Sequence, residues 1–418
     1  MNADTVWILV CTALVLLMTP AVGLFYGGLV REKNALSTLV YSFGSLVIVS
    51  LVWVLFGYSL SFGTSQAGII GGLDHVGLKG VSAQIPEDGG IPPLLFMAFQ
   101  LTFAAVTPAL ISGAFVERKR FAAFVLFVPL WSLIVYSPVA HWVWASGGWL
   151  AGEGALDFAG GTVVHITSGV SALVCAIVIG RRKGFGSEEI SPHNATMTML
   201  GAALLWFGWF GFNAGSALAA DGVAVNALVT THVAAAAGGA AWLGCAWILH
   251  RKPSALGLGI GAVAGLVGIT PAAGFVSPMS ALTIGLVTSA TCFLVTEFVL
   301  RGRVDDSLDV FGVHGVGGIV GAVLTGVFAT TAVNEGGADG LIHGNPGQLI
   351  VQLKAVVVVA IYSAIATVAI LFAVRFIVGL RVSDHEEEAG LDLSQHGERA
   401  YPKSAASEPV AAGVPETT

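Results

Sequence analysis

His165 and His314 each stand eight residues after an acid, in Asp157-Phe-Ala-Gly-Gly-Thr-Val-Val-His165 and Asp306-Ser-Leu-Asp-Val-Phe-Gly-Val-His314. Both segments contain glycine and run on into apolar sequence long enough to cross a bilayer. An ionisable group at membrane depth is costly, so its presence asks for a function. At a helical rise of about 1.5 Å per residue, eight residues carry each imidazole roughly 12 Å inward, near the middle of a roughly 30 Å hydrocarbon slab. If the two segments run in opposite directions, the two rings meet there. Neutral imidazoles bonded to one another offer a narrow passage a donor or an acceptor without a fixed charge. That chemistry suits a small polar solute that is neutral or gives up a proton, whereas potassium needs a ring of oxygens in place of its water. A metal ion needs three or four ligands close together, and here the acids lie eight residues back. At helix starts they suit capping instead, so Asp157 and Asp306 are read as structural support, with no metal site and no cofactor expected. His232, alone on an apolar stretch, is read as a packing residue.

Composition fixes the elements that must position these rings. The chain has 418 residues, of which 55% are hydrophobic and only 10% charged, with 55 glycines and a mean hydropathy of +0.85. Soluble domains carry about 25% charged residues, so the class is an all-α polytopic membrane protein in a lipid bilayer, its glycines letting helices approach closely. Eleven spans are predicted, near 6–30, 38–62, 91–115, 121–140, 161–180, 195–217, 223–249, 255–273, 278–300, 308–331 and 350–379. The basic residues Arg31, Lys33, Arg118 to Arg120, Arg181 to Lys183, Arg251, Lys252, Arg301 and Arg303 fall in connections on one side, with Lys79 alone on the other. The amino terminus is therefore expected outside and the carboxyl tail in the cytoplasm, which an odd number of spans requires. Spans one to five and six to ten then have opposite topology, an inverted repeat with its site at the midplane and one added helix. The first span is read as a retained helix, with a cleaved signal as the alternative because of Pro20. Cys11, Cys175, Cys245 and Cys292 are scattered singly and read as small core residues. Residues 1–381 form the membrane domain, 382–401 a cytoplasmic tail, and 402–418 an end expected to be disordered. From Val382 onward eight acids face Arg399 and Lys403, so the tail carries minus six of a net charge of minus seven. The segment Gly390 to Tyr401 is varied enough to dock on the cytoplasmic face or on a partner.

Aromatic residues supply the rest of the argument. Phe99 and Phe103 lie four apart on one helical face, Trp144 is placed in an outer loop, and Phe207-Gly-Trp-Phe-Gly-Phe-Asn-Ala-Gly-Ser216 ends the sixth span outside. Such rings can hold a small cation and exclude water. At this point the chain resembles the Amt/MEP/Rh ammonium transporters, specifically the bacterial Amt branch, from about Cys11 to Tyr401. The resemblance rests on Phe25-Tyr-Gly-Gly-Leu-Val, Ala155 to His165, Gly208 to Ser216, Asp309-Val-Phe-Gly-Val-His-Gly315, and the tail segment with Gly397, Glu398 and Tyr401. It implies an ammonium recruitment site of Phe103, Trp144 and Ser216, a gate of Phe103 and Phe212, and a pore lined by His165 and His314. Asp157 supports the recruitment site from behind, and Trp209, Phe99 and Gln100 match positions near the pore entrance. One extra residue between Trp144 and Asp157 departs from the family pattern. The resemblance further implies ammonium uptake across the inner (cytoplasmic) membrane, methylammonium as a second substrate, a homotrimer, and a PII signalling protein at the cytoplasmic mouth. The alternative is an ammonium sensor signalling through the tail, although about 37 residues after Arg381 are few for a signalling domain. An enzyme is not expected, since neither a paired nucleophile nor H-E-x-x-H is present, and no nucleic-acid partner is expected.

Overall fold

Helix ends here follow from caps and prolines. The computed structural model describes residues 2–87 and 89–401, so the end expected to be disordered, 402–418, lies outside the described residues. Among the described residues, ten helices are long and apolar enough to cross a membrane, and an eleventh is shorter. They are α1 (Ala3–Leu29), α2 (Glu32–Phe62), α3 (Pro93–Ser112), α4 (121–144), α5 (Gly161–Ile179), α6 (Ala195–Ala217), α7 (Gly222–His250), α8 (Ala255–Ile269), α9 (Pro278–Leu300), α10 (Phe311–Phe328) and α11 (Pro346–Val378). Asn194, Asp221, Ser254 and Ser277 cap α6, α7, α8 and α9 by accepting a backbone N–H two or three residues into the helix.

α1 keeps to the expected helix, whereas α4 and α8 end elsewhere than expected. α1 runs unbroken through Pro20, which membrane helices tolerate because neighbours satisfy the freed carbonyl. α4 outlasts residue 140, because Pro138 falls just after a π-turn at Ser132–Tyr136, where a missing N–H costs little. Trp144 is therefore the last residue of a helix rather than a loop residue. α8 stops at Ile269, short of 273, just before Pro271. It still reaches the level of the 157 loop, since the Phe158 N–H donates to the Pro271 carbonyl at 3.1 Å.

Connections alternate between two faces, an amino face carrying the chain start and a tail face. A two-stranded antiparallel ribbon, β1 (Ser65–Gln66) and β2 (Ile70–Gly71), lies in the first amino-face connection. Along the middle of the molecule α1 packs on α6, and α5 packs on α10, which joins the two halves of the repeat. α11 leans against α4, α5 and α10 from outside that repeat.

On the tail face the basic connections are locked by acids. Glu117 binds Arg31 at 2.9 Å and Arg182 at 3.1 Å, and Arg182 also binds Asp305 at 2.8 Å. Burial works against both carboxylates, yet the guanidiniums beside them hold Glu117 and Asp305 below the usual carboxylate range. The tail folds onto this face. The Asp392 carboxylate accepts the Leu36 and Ser37 N–H groups at 3.0 and 2.7 Å, so it caps α2 from a distance in sequence. Buried Glu387 accepts the Lys183 N–H at 2.6 Å and binds Arg381 at 2.7 Å.

Lys119 stands apart from this pairing. Its ammonium is wholly buried without a hydrogen-bond partner, and lies 3.8 and 4.0 Å from the ring centres of Phe115 and Phe127. Burial pushes it down to about 8 from 10.5. The folded state then binds fewer protons than the unfolded chain between these values, so stability rises with pH across that window, by about 3 kcal/mol. Lys119→Met is expected to raise the unfolding midpoint by a few degrees at pH 7, with the gain shrinking toward pH 10. Thermal unfolding in detergent at both pH values checks this; a midpoint lowered at pH 7 refutes it.

Candidate functional site

Each histidine is delivered by a wide helical turn whose free N–H groups are collected by the acid before it. Gly160, at φ +113°, turns the chain into α5 in a conformation glycine adopts easily. The Asp157 carboxylate accepts the N–H groups of Gly160, Gly161, Thr162 and Val163 at 2.8, 2.6, 2.8 and 3.1 Å, and the Thr162 hydroxyl as well. The His165 N–H then donates five residues back to the Gly160 carbonyl at 3.0 Å, a π-turn of the kind common at functional sites. A second π-turn, Phe311–Gly315, carries His314. There one oxygen of Asp306 accepts the Phe311 N–H at 2.7 Å, while the other is buried without a partner.

The two turns meet at glycines. A Cβ at Gly169 would run into the Gly315 backbone, and one at Gly318 would lie 2.8 Å from the Gly161 carbonyl and 3.0 Å from the His165 Cβ. The close approach brings the imidazoles together, both buried, with Nδ1 to Nδ1 at 3.2 Å and ring centres at 5.3 Å. One Nδ1 must donate and the other accept, so two cationic rings cannot share this bond. The His165 Nε2 is buried with no partner in the protein.

The rings border a cavity of only about 10 Å³, at the lower limit of what one water-sized molecule needs. Its other walls include Met18, Val22, Phe25, Val106, Leu110 and Val164. Tyr26 and Trp209 also face it, but the Tyr26 hydroxyl donates to the Leu110 carbonyl at 3.2 Å and the Trp209 indole to the Thr270 hydroxyl at 2.9 Å. Apart from the Tyr26 oxygen, which can still accept, the imidazoles alone among the lining side chains keep polar atoms free for a solute.

Toward the amino face the cavity is closed by Phe212 and Phe103, stacked at 4.2 Å and both 1% exposed. Trp144 stands edge-on to Phe103 at 6.0 Å and is half-buried. Its indole donates to the Asp157 carbonyl at 2.9 Å, which ties the ring to the loop behind it. Half-buried Ser216 donates to the Phe212 carbonyl at 2.8 Å, leaving its oxygen lone pairs to accept. Phe99 is buried edge-on to Phe103 at 4.9 Å. Gln100 is buried with its carbonyl oxygen unpartnered, but does not line the cavity.

Trp209 lies deeper than its expected place at the entrance. It stacks on His165 at 5.5 Å, on the cavity wall below the phenylalanine pair. The reason is helical spacing: Trp209 precedes Phe212 by one turn on a helix running toward the amino face. His232, expected to pack inside, is exposed on α7, with ring centres of Trp206 and Phe210 at 5.4 and 6.2 Å. Sequence reasoning passed over Gln352, a polar residue in an apolar span whose amide binds the Leu156 backbone. A buried polar residue in a membrane helix was the available signal.

The model of the Ammonium Transporter Family matches residues 6–401. An ammonium transporter of Bacillus subtilis (strain 168) is 54% identical over 404 residues, covering 96% of this chain and 99% of that protein. Ammonium transporter Amt1 of Archaeoglobus fulgidus is 51% identical over 400 residues, covering 96% of this chain and 99% of that protein. The crystal structure of Saccharomyces cerevisiae Mep2 superposes with a TM-score of 0.88 at 40% identity, covering 97% of this chain and 93% of that one. With matches running nearly end to end, the chain belongs to the ammonium transporter family.

Proposed function

We propose that this chain takes up ammonium by recruiting the cation at Phe103, Trp144 and Ser216, stripping its charge, and passing ammonia between His165 and His314. The hydrogen bond between the two imidazoles, in the wall of a small and mostly apolar cavity, carries this reading. A charge desolvated in such a place costs many kcal/mol. Ammonium escapes that cost by losing a proton, which potassium cannot do. Trp144 and Phe103 draw the cation by their ring faces, and Ser216 accepts a hydrogen bond from it. Phe103 and Phe212 part to admit it. The released proton crosses through the imidazole pair or stays outside, and ammonia is protonated again on the far side. Asp157 holds the recruitment loop and Asp306 the opposite turn, without touching the solute.

The amino face is the outer one in this reading, because the basic connections lie on the tail face. Residues 1–381 are the transport domain of the cytoplasmic membrane, and 382–401 a regulatory tail on its inner side. His232 supports a homotrimer. It sits exposed ten residues into α7, at a depth where an uncovered imidazole is costly in lipid, and another subunit can cover it. The tail face, ringed by the docked tail, is where a PII protein would seat.

The test is current on a solid-supported membrane, from proteoliposomes given an ammonium pulse, with potassium as control and His165→Ala alongside. An ammonium-specific transient that the variant alters supports charge-coupled transport. No current, but a faster internal pH change than in empty liposomes, supports passage of neutral ammonia. Absence of both signals removes the transport reading in favour of a sensor.

A further inference from the structure

Gln352 lies on α11, outside the inverted repeat, and is 1% exposed. Its side-chain oxygen accepts the Leu156 N–H at 2.7 Å and the Gln348 amide at 3.4 Å. Its nitrogen donates to the Leu156 carbonyl at 2.8 Å and to the Ala322 carbonyl at 3.2 Å. The amide thus grips Leu156 as a neighbouring strand would, and all its hydrogen-bonding capacity is spent. Gln348, one turn earlier, donates to the Gly154 carbonyl at 2.9 Å. Gly326 on α10 makes room for the side chain, since a Cβ there would come within 2.9 Å of the Gln352 Cγ.

The positions of these partners matter. Leu156 precedes Asp157, whose carbonyl takes the Trp144 indole and whose carboxylate gathers the turn that carries His165. Ala322 lies eight residues beyond His314 on the same helix. One amide therefore joins the segment of one histidine to the helix of the other, and does so directly behind the aromatic cluster.

We propose that Gln352 is a positioning residue for transport, setting Trp144 and the His165 turn in register with the His314 helix. A small rotation of the Asp157 carbonyl moves the acceptor of the Trp144 indole, so the first quantity to suffer is capture of ammonium. The inference rests on the recruitment role proposed for Trp144, and the experiment separates the two. Ammonium uptake into proteoliposomes is measured against concentration for the parent, Gln352→Glu, Gln352→Leu, Trp144→Ala, and each Gln352 variant combined with Trp144→Ala. Gln352→Glu keeps the acceptor for the Leu156 N–H and loses both donated bonds.

A rise in apparent KM of roughly fivefold or more is expected for Gln352→Leu, about the worth of one buried hydrogen bond, with a smaller rise for Gln352→Glu. The maximal rate per folded protein should change less. In the Trp144→Ala background neither change should raise KM further, which a merely structural role would not produce. If Gln352→Leu does not fold, the Gln352→Glu pair decides. Trp144→Ala with a raised KM, beside Gln352 variants with the parent KM, overturns the inference alone, and so does a Gln352 effect of equal size in both backgrounds. Trp144→Ala with the parent KM overturns the recruitment reading and this inference with it.

Discussion

His165→Ala and His314→Ala will each lower ammonium uptake by at least tenfold, or open the passage to potassium, while the protein still folds. The His165 Nε2 is the unpartnered polar atom facing the cavity, and the Nδ1 bond at 3.2 Å fixes its direction. Removing one ring strands the other buried nitrogen, and an unmet buried group costs about 1–3 kcal/mol, a factor of about five to 150. The solute loses its hydrogen-bonding partner at the same step. The missing ring also leaves space beyond the present 10 Å³ or so. If water fills that space, a hydrated path replaces the apolar one, and the barrier that discriminates against potassium falls. Uptake of ammonium and of potassium by the two variants, with thermal unfolding to confirm the fold, decides the matter. Parent-like ammonium uptake with potassium still excluded defeats the histidine mechanism.

Much of this site could be read from residue order because the requirement is unusual. Two histidines at matching depth in apolar sequence, each eight residues behind an acid, leave few geometries in a bilayer, and the Nδ1 contact is one of them. The stacked Phe103 and Phe212 come from spans three and six, which pattern alone does not bring together; family resemblance supplied that pair. The depth of Trp209 was missed because placing a ring along a helix needs the axis and the neighbour it stacks on. The end of α4 was missed because Pro138 resembles a terminator until the preceding π-turn is seen. The surroundings of Lys119 and Gln352 were illegible for a different reason. Whether a polar residue near a span is buried, and what meets it, depends on how the chain folds around it: Phe115 and Phe127 close over the lysine from either side, and the loop before α5, far away in sequence, meets the glutamine.

The two acids show the same limit in the pair that order makes look alike, and they give the sharpest contrast in stability. Asp157 satisfies four backbone N–H groups with both oxygens, whereas Asp306 satisfies Phe311 with one oxygen and leaves the other buried and unmet. In Asp157→Asn an amide N–H₂ replaces one acceptor oxygen and points at donors. Two of the N–H groups lose their partner, so a loss of about 3–5 kcal/mol and much less folded protein are expected. Asp306 behaves oppositely. Burial pushes its carboxyl up to about 6, against the pull of the Phe311 N–H. Because the folded value is the higher one, its contribution to stability is full below the unfolded value near 3.8 and is lost as pH rises through about 6. At pH 7 the fold holds a buried charge that it would rather protonate, and a neutral amide of the same shape removes that cost. Asp306→Asn is therefore expected to stay within about 1 kcal/mol of the parent at pH 7, or to exceed it, and to flatten the pH dependence between 4 and 7. Unfolding midpoints of both variants across that range test the contrast. Equal losses at pH 7 would mean that Asp306 caps its turn as fully as Asp157 does, and that the two halves of the repeat are held by the same chemistry after all.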